Sequence, residues 1–277
     1  MAPRFRNKRN LLIFLLFVLC GLITYLLVVP DISQLKKNNP FKTSFMKYRE
    51  MEWKREGKKF SIQQKWVPLS MISPYMRKAV LIAEDDKFWS HEGFDYEAIQ
   101  KALEKDIMAK KFKLGGSTIS QQLAKNLYLS PSKNPVRKIR EAIITWRMER
   151  ILTKRRILEL YLNVAEWGDR GIFGIEMASR HYYGKSASEL FPEEAARLAA
   201  VLPNPRKYNP LGESGYVLHR ANLIYSIMVR RGIVVPEYEE VIEEDEKDSA
   251  TEPLGIKPLI ESPIETPSDQ PGPETPH

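Results

Sequence analysis

The fold is decided by residues 135–168, which read PVRKIREAIITWRMERILTKRRILELYLNVAEWG. Apolar residues such as Ile144, Met148, Ile151 and Leu158 recur here at the three- and four-residue intervals of a buried helix face. Helical spacing also appears upstream, strand signals are few, and clusters of Gly and Pro separate the helical stretches. We therefore predict a mostly α-helical body over residues 67–236, with about eight helices.

An uncharged apolar run precedes this body. Residues 11–29, LLIFLLFVLCGLITYLLVV, would form a helix about 28 Å long at ~1.5 Å per residue, which matches a bilayer core. Residues 1–10 carry Arg and Lys but no acid, so the positive-inside rule predicts a cytoplasmic N-terminus and a body on the periplasmic, extracytoplasmic side of the inner membrane. A cleaved signal peptide is the rival interpretation, but the run is long and no small-x-small site follows it. We predict an uncleaved, single-pass transmembrane helix.

Charge is unevenly distributed along the chain. Residues 237–277 contain 13 acidic and 2 basic residues, and their Pro-rich, acidic composition predicts a disordered tail. The other 236 residues carry 41 basic and 22 acidic residues, a surplus that suits a phosphate, a nucleic acid or an anionic lipid. A membrane segment favours lipid over nucleic acid. The basic and aromatic residues 30–66 then predict a juxtamembrane helix and a short extended piece near the headgroups.

A first candidate cluster is residues 83–95, AEDDKFWSHEGFD, where three consecutive charges interrupt an apolar helix. Burial of Glu84 beside its apolar neighbours would raise the pKa of its carboxyl group and make it a usable base. The alternative is structural: Glu84 and Asp85 would be surface residues at a helix end, and His91 a hydrogen-bonding partner. From these residues alone, both interpretations stay open.

A second cluster is residues 114–126, LGGSTISQQLAKN, in which a glycine pair precedes two N-cap candidates, Ser117 and Thr118. Free amide groups at such a helix start suit an anion. Gln121 and Lys125 are four residues apart and Gln122 is adjacent, so one helix face would present amides and an ammonium group to sugar hydroxyls and a phosphate. An ordinary capped helix with polar solvent contacts is the alternative.

A third cluster opens residues 135–168, where Arg137 and Lys138 precede Glu141. Glu141 stands at the edge of the apolar face among cations, which favour its ionised form. The simplest alternative is that Glu141 is only an ion-pair partner. For Glu159 the simplest interpretation is a buried structural role. The sequence spells out no metal site and no GxSxG nucleophile, so the chemistry would rest on carboxylates and cations.

These clusters, in this order, resemble the glycosyltransferase domain of the penicillin-binding-protein family, and in particular its monofunctional biosynthetic peptidoglycan transglycosylases. The resemblance covers residues 67–210 and is carried by five blocks: EDDKFWSHEGFD (84–95), GGSTISQQLAKNLYL (115–129), RKIREAIITWRMER (137–150), KRRILELYLNVAEWGDRGIFGIEMASRHYYGK (154–185) and EEAARLAAVLPNPRKYNP (193–210). Only 26 residues lie between this range and the acidic tail, so we expect no crosslinking transpeptidase domain.

The resemblance implies a lysozyme-like lobe and a smaller jaw subdomain against the membrane. It also implies glycosyl transfer with inversion at the anomeric carbon. The 4-hydroxyl of lipid II would attack the growing lipid-linked chain, whose undecaprenyl pyrophosphate leaves. Glu84 matches the general base. Glu141 matches a second carboxylate, acting at the leaving group directly or by organising cations and a divalent metal, Mg²⁺ or Mn²⁺.

Other residues match substrate-contacting positions of the family. The resemblance assigns phosphate contacts to Lys125, Arg137 and Lys138, and donor-site contacts to Ser117, Gln121 and Gln122. Asp85 and His91 match the first block, and we expect them to orient the loop at Glu84. Fixed cations beside a pyrophosphate leaving group would give the largest electrostatic contribution to catalysis.

Three other functions compete with this interpretation. A membrane-anchored lytic transglycosylase or muramidase shares the lysozyme-like lobe and a catalytic Glu, but would not meet the pyrophosphate that Lys125 suits. A scaffold that binds lipid II and recruits other cell-wall synthesis proteins would not need the base Glu84. A nucleic-acid binder is disfavoured by the anchor and its outward orientation.

Overall fold

The computed structural model describes residues 4–28, 30–109, 116–132 and 134–234, except for the side chains of residues 4–9, 22, 25–27, 102–103 and 105–109. α-Helices account for most of these residues, as the sequence predicts. The helices are α1 (Arg4–Leu27), α2 (Ser44–Arg55), α3 (Pro74–Glu84), α4 (Tyr96–Ala109), α5 (Ile119–Tyr128), α6 (Pro135–Ile151), α7 (Lys154–Val164), α8 (Ile175–Tyr183), α9 (Pro192–Val201) and α10 (Gly215–Arg230). Two short strands, β1 (Gln63–Gln64) and β2 (Ile172–Phe173), complete the described elements together with 3₁₀ turns at Ser33–Lys36, Leu69–Met71 and Ala187–Glu189.

Residues 135–168 form α6 and α7, and local signals set where each helix begins. The side chain of Asn134 caps α6 by accepting a hydrogen bond from the Val136 backbone amide, and Pro135 stands at the first helical position. Thr153 caps α7 in the same way, accepting from the Arg156 amide. Within the described part of the body, α3 to α10 are the eight helices expected from the pattern.

One continuous hydrophobic core holds the body together. α5 packs against both α6 and α7, and α3 packs against both α9 and α10. The apolar faces predicted from helical spacing are buried, since Ile144 and Met148 have no exposed surface and Leu158 has 1%. The core therefore fixes the end of α3 and the start of α5 relative to α6 and α10, which is where the candidate residues lie.

Residues 30–66 contain the predicted helix, α2, and the predicted extended piece, β1, and both are attached to the body. On α2, Met46 and Trp53 are buried with Phe173 of β2 in a second, small apolar cluster. β1 pairs in parallel with β2, with Gln63 opposite Ile172. Gly171 permits this approach because a Cβ there would lie 2.2 Å from the Ser61 carbonyl oxygen, and its φ is +83°. α2 is thus a wall of the body.

The structure describes only part of the predicted membrane anchor. Among the residues that the structure describes, no helix combines the length and hydropathy needed to cross a bilayer. The predicted span, residues 11–29, overlaps α1 but includes residue 29 and side chains outside the described set, so it stays a prediction. At the end of α1, the Val28 carbonyl oxygen accepts a hydrogen bond from Arg140 of α6 at 3.1 Å. The acidic tail, residues 237–277, lies outside the described residues.

Candidate active site

Glu84 is the last residue of α3, and the loop after it is fixed by its neighbour Asp85. Asp85 is buried and accepts a hydrogen bond at 2.9 Å from the backbone amide of Ile119, the first residue of α5. Its other oxygen accepts from His91 Nε2 at 2.8 Å, because His91 Nδ1 is itself an acceptor for the Gly93 amide. The polar residues that interrupt the apolar helix thus join α3 to the N-terminus of α5.

The Glu84 carboxylate is held in place by two side chains, Gln122 and Arg220. Gln122 Nε2 donates to Glu84 Oε2 at 2.8 Å, and Arg220 Nη2 lies 3.3 Å from Glu84 Oε1. The Glu84 side chain is only 10% exposed. Burial raises the pKa of Glu84, although the Gln122 hydrogen bond and the charges of Arg220 and Lys125 act in the opposite direction. A carboxylate with a raised pKa is suited to accept a proton near neutral pH.

A second carboxylate, Glu141, lies on α6 and is paired with two cations. It is 3% exposed, and Arg137 Nη1 donates to Glu141 Oε2 at 2.5 Å while Lys138 Nζ bonds Glu141 Oε1. Lys138 Nζ also donates to the Ser117 hydroxyl at 3.2 Å. Because Arg137 and Lys138 each bond one of its oxygens, Glu141 holds two cations close together at this site.

Lys125 on α5 is influenced by the charges of both carboxylates, Glu84 and Glu141. Burial lowers the pKa of Lys125, with Arg137 and Lys138 acting in the same direction and Glu141 and Glu84 opposing them. Within the described residues, its ammonium group makes no hydrogen bond and no ion pair. A mostly buried ammonium group without a protein partner is available to an anion.

Gln121 has a different environment from its neighbour Gln122. Gln121 is buried and closes a capping box with Thr118, accepting from the Thr118 backbone amide at 3.0 Å. Gln122 instead reaches Glu84 and, with Lys125, lines a pocket of about 170 Å³. The sequence therefore predicted the helix correctly. Gln122, rather than the expected Gln121, lines the pocket together with Lys125.

Two residues in contact with the site were missed by the sequence analysis. Arg220 comes from α10, beyond the resemblance, and no local pattern distinguishes it from other arginines. Tyr161 of α7 lies inside a matching block and donates from its hydroxyl to Gln122 Oε1 at 3.1 Å, which orients the Gln122 amide toward Glu84. Its complete burial raises the pKa of Tyr161, so it stays a neutral donor.

Both oxygens of Glu141 are bonded to cations of the protein, Arg137 and Lys138. In the parts of the chain that the structure describes, no three His, Cys, Asp or Glu side chains cluster as metal ligands. A divalent cation stays a prediction of the resemblance.

Comparison with known proteins identifies similar sequences over most of the chain. A family model described as Transglycosylase matches residues 52–229. A protein of Nitrosospira multiformis named biosynthetic peptidoglycan transglycosylase is 44% identical over 221 residues, which are 80% of this chain and 96% of the relative. Relatives of the same name from Dechloromonas aromatica and Methylobacillus flagellatus are 53% identical over 62% of this chain and 48% identical over 69% of it, covering 74% and 83% of their own lengths.

Proposed function

The chain belongs to the transglycosylase family, and from this membership we propose that it is a peptidoglycan glycosyltransferase that polymerises lipid II into linear glycan strands. At each addition the undecaprenyl pyrophosphate of the growing strand leaves, and the lengthened strand is linked to the undecaprenyl pyrophosphate of the lipid II just added. The observation that carries the proposal is the buried carboxylate of Glu84, which is hydrogen-bonded to Gln122; Gln122 and Lys125 line one pocket, and the Lys125 ammonium group has no hydrogen-bond or ion-pair partner among the described residues.

In this proposal Glu84 is the general base. It accepts the proton of the sugar 4-hydroxyl as that oxygen attacks the anomeric carbon of the growing strand. Gln122 and Arg220 hold the two carboxylate oxygens, so the base is oriented before substrate binds. Because burial raises its pKa, Glu84 binds a proton more readily than an exposed carboxylate would.

The cations act on the leaving group. The bond from the anomeric carbon to the pyrophosphate oxygen breaks as the new glycosidic bond forms, and negative charge grows on the pyrophosphate. Lys125, Arg137 and Lys138 would stabilise that charge from fixed positions in a partly dehydrated cleft. Glu141 acts as a positioning residue, because its ion pairs hold Arg137 and Lys138 against α6 and, through Lys138, near Ser117.

The site is proposed to work at the outer face of the cytoplasmic membrane. The apolar run at residues 11–29, the basic residues before it and the Arg140 contact with the end of α1 support an anchor next to α6. On α6, Ile139 and Trp146 are about half exposed. The division into a lysozyme-like lobe and a membrane-proximal jaw also belongs to this proposal.

The function is tested by giving purified protein lipid II in detergent and separating the products. Glycan polymer together with undecaprenyl pyrophosphate is the expected result. The same protein should leave isolated glycan strands intact. Cleavage of those strands without polymer formation would favour a lytic enzyme, and tight binding of lipid II without turnover would favour a scaffold.

A further inference from the structure

A separate pocket, of about 240 Å³, is built from residues of α3 and α7 and of the loops beside them. It shares no lining residue with the pocket that contains Gln122 and Lys125. The side chains of Leu69, Leu81 and Leu158 line it, and each of these residues is at most 6% exposed. They give the pocket an apolar floor with room for one large side chain. The proposed transfer reaction makes no use of this pocket.

An exposed indole borders the apolar floor. Trp89 lines the pocket and is 52% exposed. Its ring packs edge-on against Phe88, with ring centroids 5.1 Å apart, and Phe88 has no exposed surface. The indole is therefore held in place while much of its area stays open to solvent. Exposed aromatic side chains beside an apolar depression are typical of protein-binding sites, where Trp and Arg contribute most to the affinity.

Three cations surround the apolar floor, and no acid lines the pocket. The cations are Arg77 and Lys78 of α3 and Arg155 of α7. Lys78 and Arg155 are exposed, and none of the three makes an ion pair with another described residue. Arg77 Nε is buried and has no hydrogen-bond partner in the described part of the chain. A buried donor is seldom left in this state, which points to a ligand that accepts hydrogen bonds.

Acids close to these cations in the sequence are bonded to other groups. Glu159 of α7 pairs with Arg156 and accepts a hydrogen bond at 2.9 Å from the Leu69 amide. Asp86, just after α3, pairs with Arg231. The positive charge of the pocket is therefore not neutralised by these carboxylates, and a ligand that carries negative charge would neutralise it.

An apolar floor with a cationic rim fits a peptide that carries an apolar side chain between carboxylates. The apolar side chain would fill the depression against Trp89, and the carboxylates would pair with Lys78 and Arg155. The phosphate of a lipid headgroup would pair with the same cations but would leave the apolar floor in contact with water. Charge complementarity and apolar burial together favour the peptide.

We propose that this pocket docks an acidic peptide segment of a partner protein, with one large apolar side chain against Trp89 and carboxylates on Arg77, Lys78 and Arg155. The segment would contact α3 and the loop after it, and it would leave the pocket at Lys125 open. The partner would then be held next to the active site without blocking the substrate.

Binding is measured with labelled peptides and the full-length protein in detergent. The acidic probe is a short glutamate-rich peptide with one central leucine. In one control peptide glutamine replaces every glutamate, and in the other glycine replaces the leucine. The natural protein should bind the acidic probe more tightly than either control peptide.

The cationic rim is tested by the double variant Lys78→Gln, Arg155→Gln. It should bind the acidic probe roughly tenfold more weakly and the glutamine peptide with little change, because only the acidic probe carries charge. The matched control is Lys37→Gln, Arg230→Gln, at exposed cations that do not line this pocket, and it should bind every probe like the natural protein.

The apolar contact is tested by Trp89→Ala against Trp146→Ala, since Trp146 is 47% exposed and lies on α6. Trp89→Ala should weaken the acidic and glutamine peptides alike, by roughly tenfold, and Trp146→Ala should weaken neither. A melting curve checks that each variant is folded. Equal peptide binding by pocket and control variants would overturn the inference, as would natural protein that binds the acidic probe no better than the glycine peptide.

Two other occupants give distinct results. If short-chain phosphatidylglycerol displaces the acidic probe at a lower concentration than unlabelled acidic peptide does, the pocket belongs to a lipid headgroup and the inference is overturned. Self-association of the natural protein that the Lys78→Gln, Arg155→Gln variant loses would assign the pocket to a second copy and would also overturn it. These binding measurements give their answer whether or not the protein polymerises lipid II.

Discussion

Replacing Asp85 by Ala should destabilise the protein far more than the same change at its neighbour Asp86. Asp85 has a side chain that is 2% exposed and accepts from the Ile119 amide and from His91. Hydrogen bonds to a charged group contribute about 1.5–3 kcal/mol each, so losing both should cost roughly 3–6 kcal/mol. For a domain of this size about 1 kcal/mol lowers Tm by 2–4 °C, which predicts a fall of about 6–24 °C.

Asp86→Ala is the matched control, because Asp86 is 49% exposed and pairs with Arg231 at the surface. A pair of this kind contributes at most about 1 kcal/mol, so Tm should fall by no more than about 4 °C. Thermal unfolding followed by circular dichroism measures both variants at the same pH and salt. Equal Tm changes in the two variants would refute the argument that Asp85 joins the Glu84 loop to α5.

Three further predictions concern the cations and the tail. Burial raises the pKa of Glu84, so the fall of kcat/KM on acidification should occur at a pH above the ordinary Glu pKa of about 4.3. The positive charge of Arg220 lowers the pKa of Glu84, so Arg220→Met should move this fall to a still higher pH. Burial lowers the pKa of Lys125, so kcat/KM should also fall as the pH is raised, and this fall should begin below the ordinary Lys pKa of about 10.4. Lys125→Arg should remove the alkaline fall and reduce the maximal rate. An alkaline profile that is the same in Lys125→Arg and in the natural protein would contradict the role of Lys125. Removal of residues 237–277 should leave the polymerisation rate unchanged, and a large loss would show that the tail takes part in catalysis.

The sequence was most informative where local chemistry sets the structure. Helical spacing identified α6 and α7, and the N-cap residues Asn134 and Thr153 define where they begin. The charged interruption after α3 indicated a polar loop, and the burial argument gave the direction of the Glu84 pKa. Each of these features depends on residues within a few positions of one another.

Features that depend on long-range packing were not predictable in this way. Arg220 reaches Glu84 from 136 positions away in the chain, and nothing near it in the sequence indicates that contact. Gln121 and Gln122 are adjacent and chemically identical, and only the capping box determines that the first is buried while the second reaches the base. The sequence analysis places the basic and aromatic stretch at residues 30–66 near the membrane headgroups, whereas Phe45 and Arg49 line the pocket that also contains Lys125.

The most direct test of the account compares glycan polymerisation from lipid II by the natural protein, Glu84→Gln and Asp86→Asn. Gln keeps the shape of Glu84 and a partner for Gln122 but cannot accept the proton, so the rate should fall by about 10²–10⁴-fold with Tm nearly unchanged. Asp86→Asn should polymerise at close to the natural rate. Polymer formation by Glu84→Gln at a rate near that of the natural protein would contradict the assignment of Glu84 as the base.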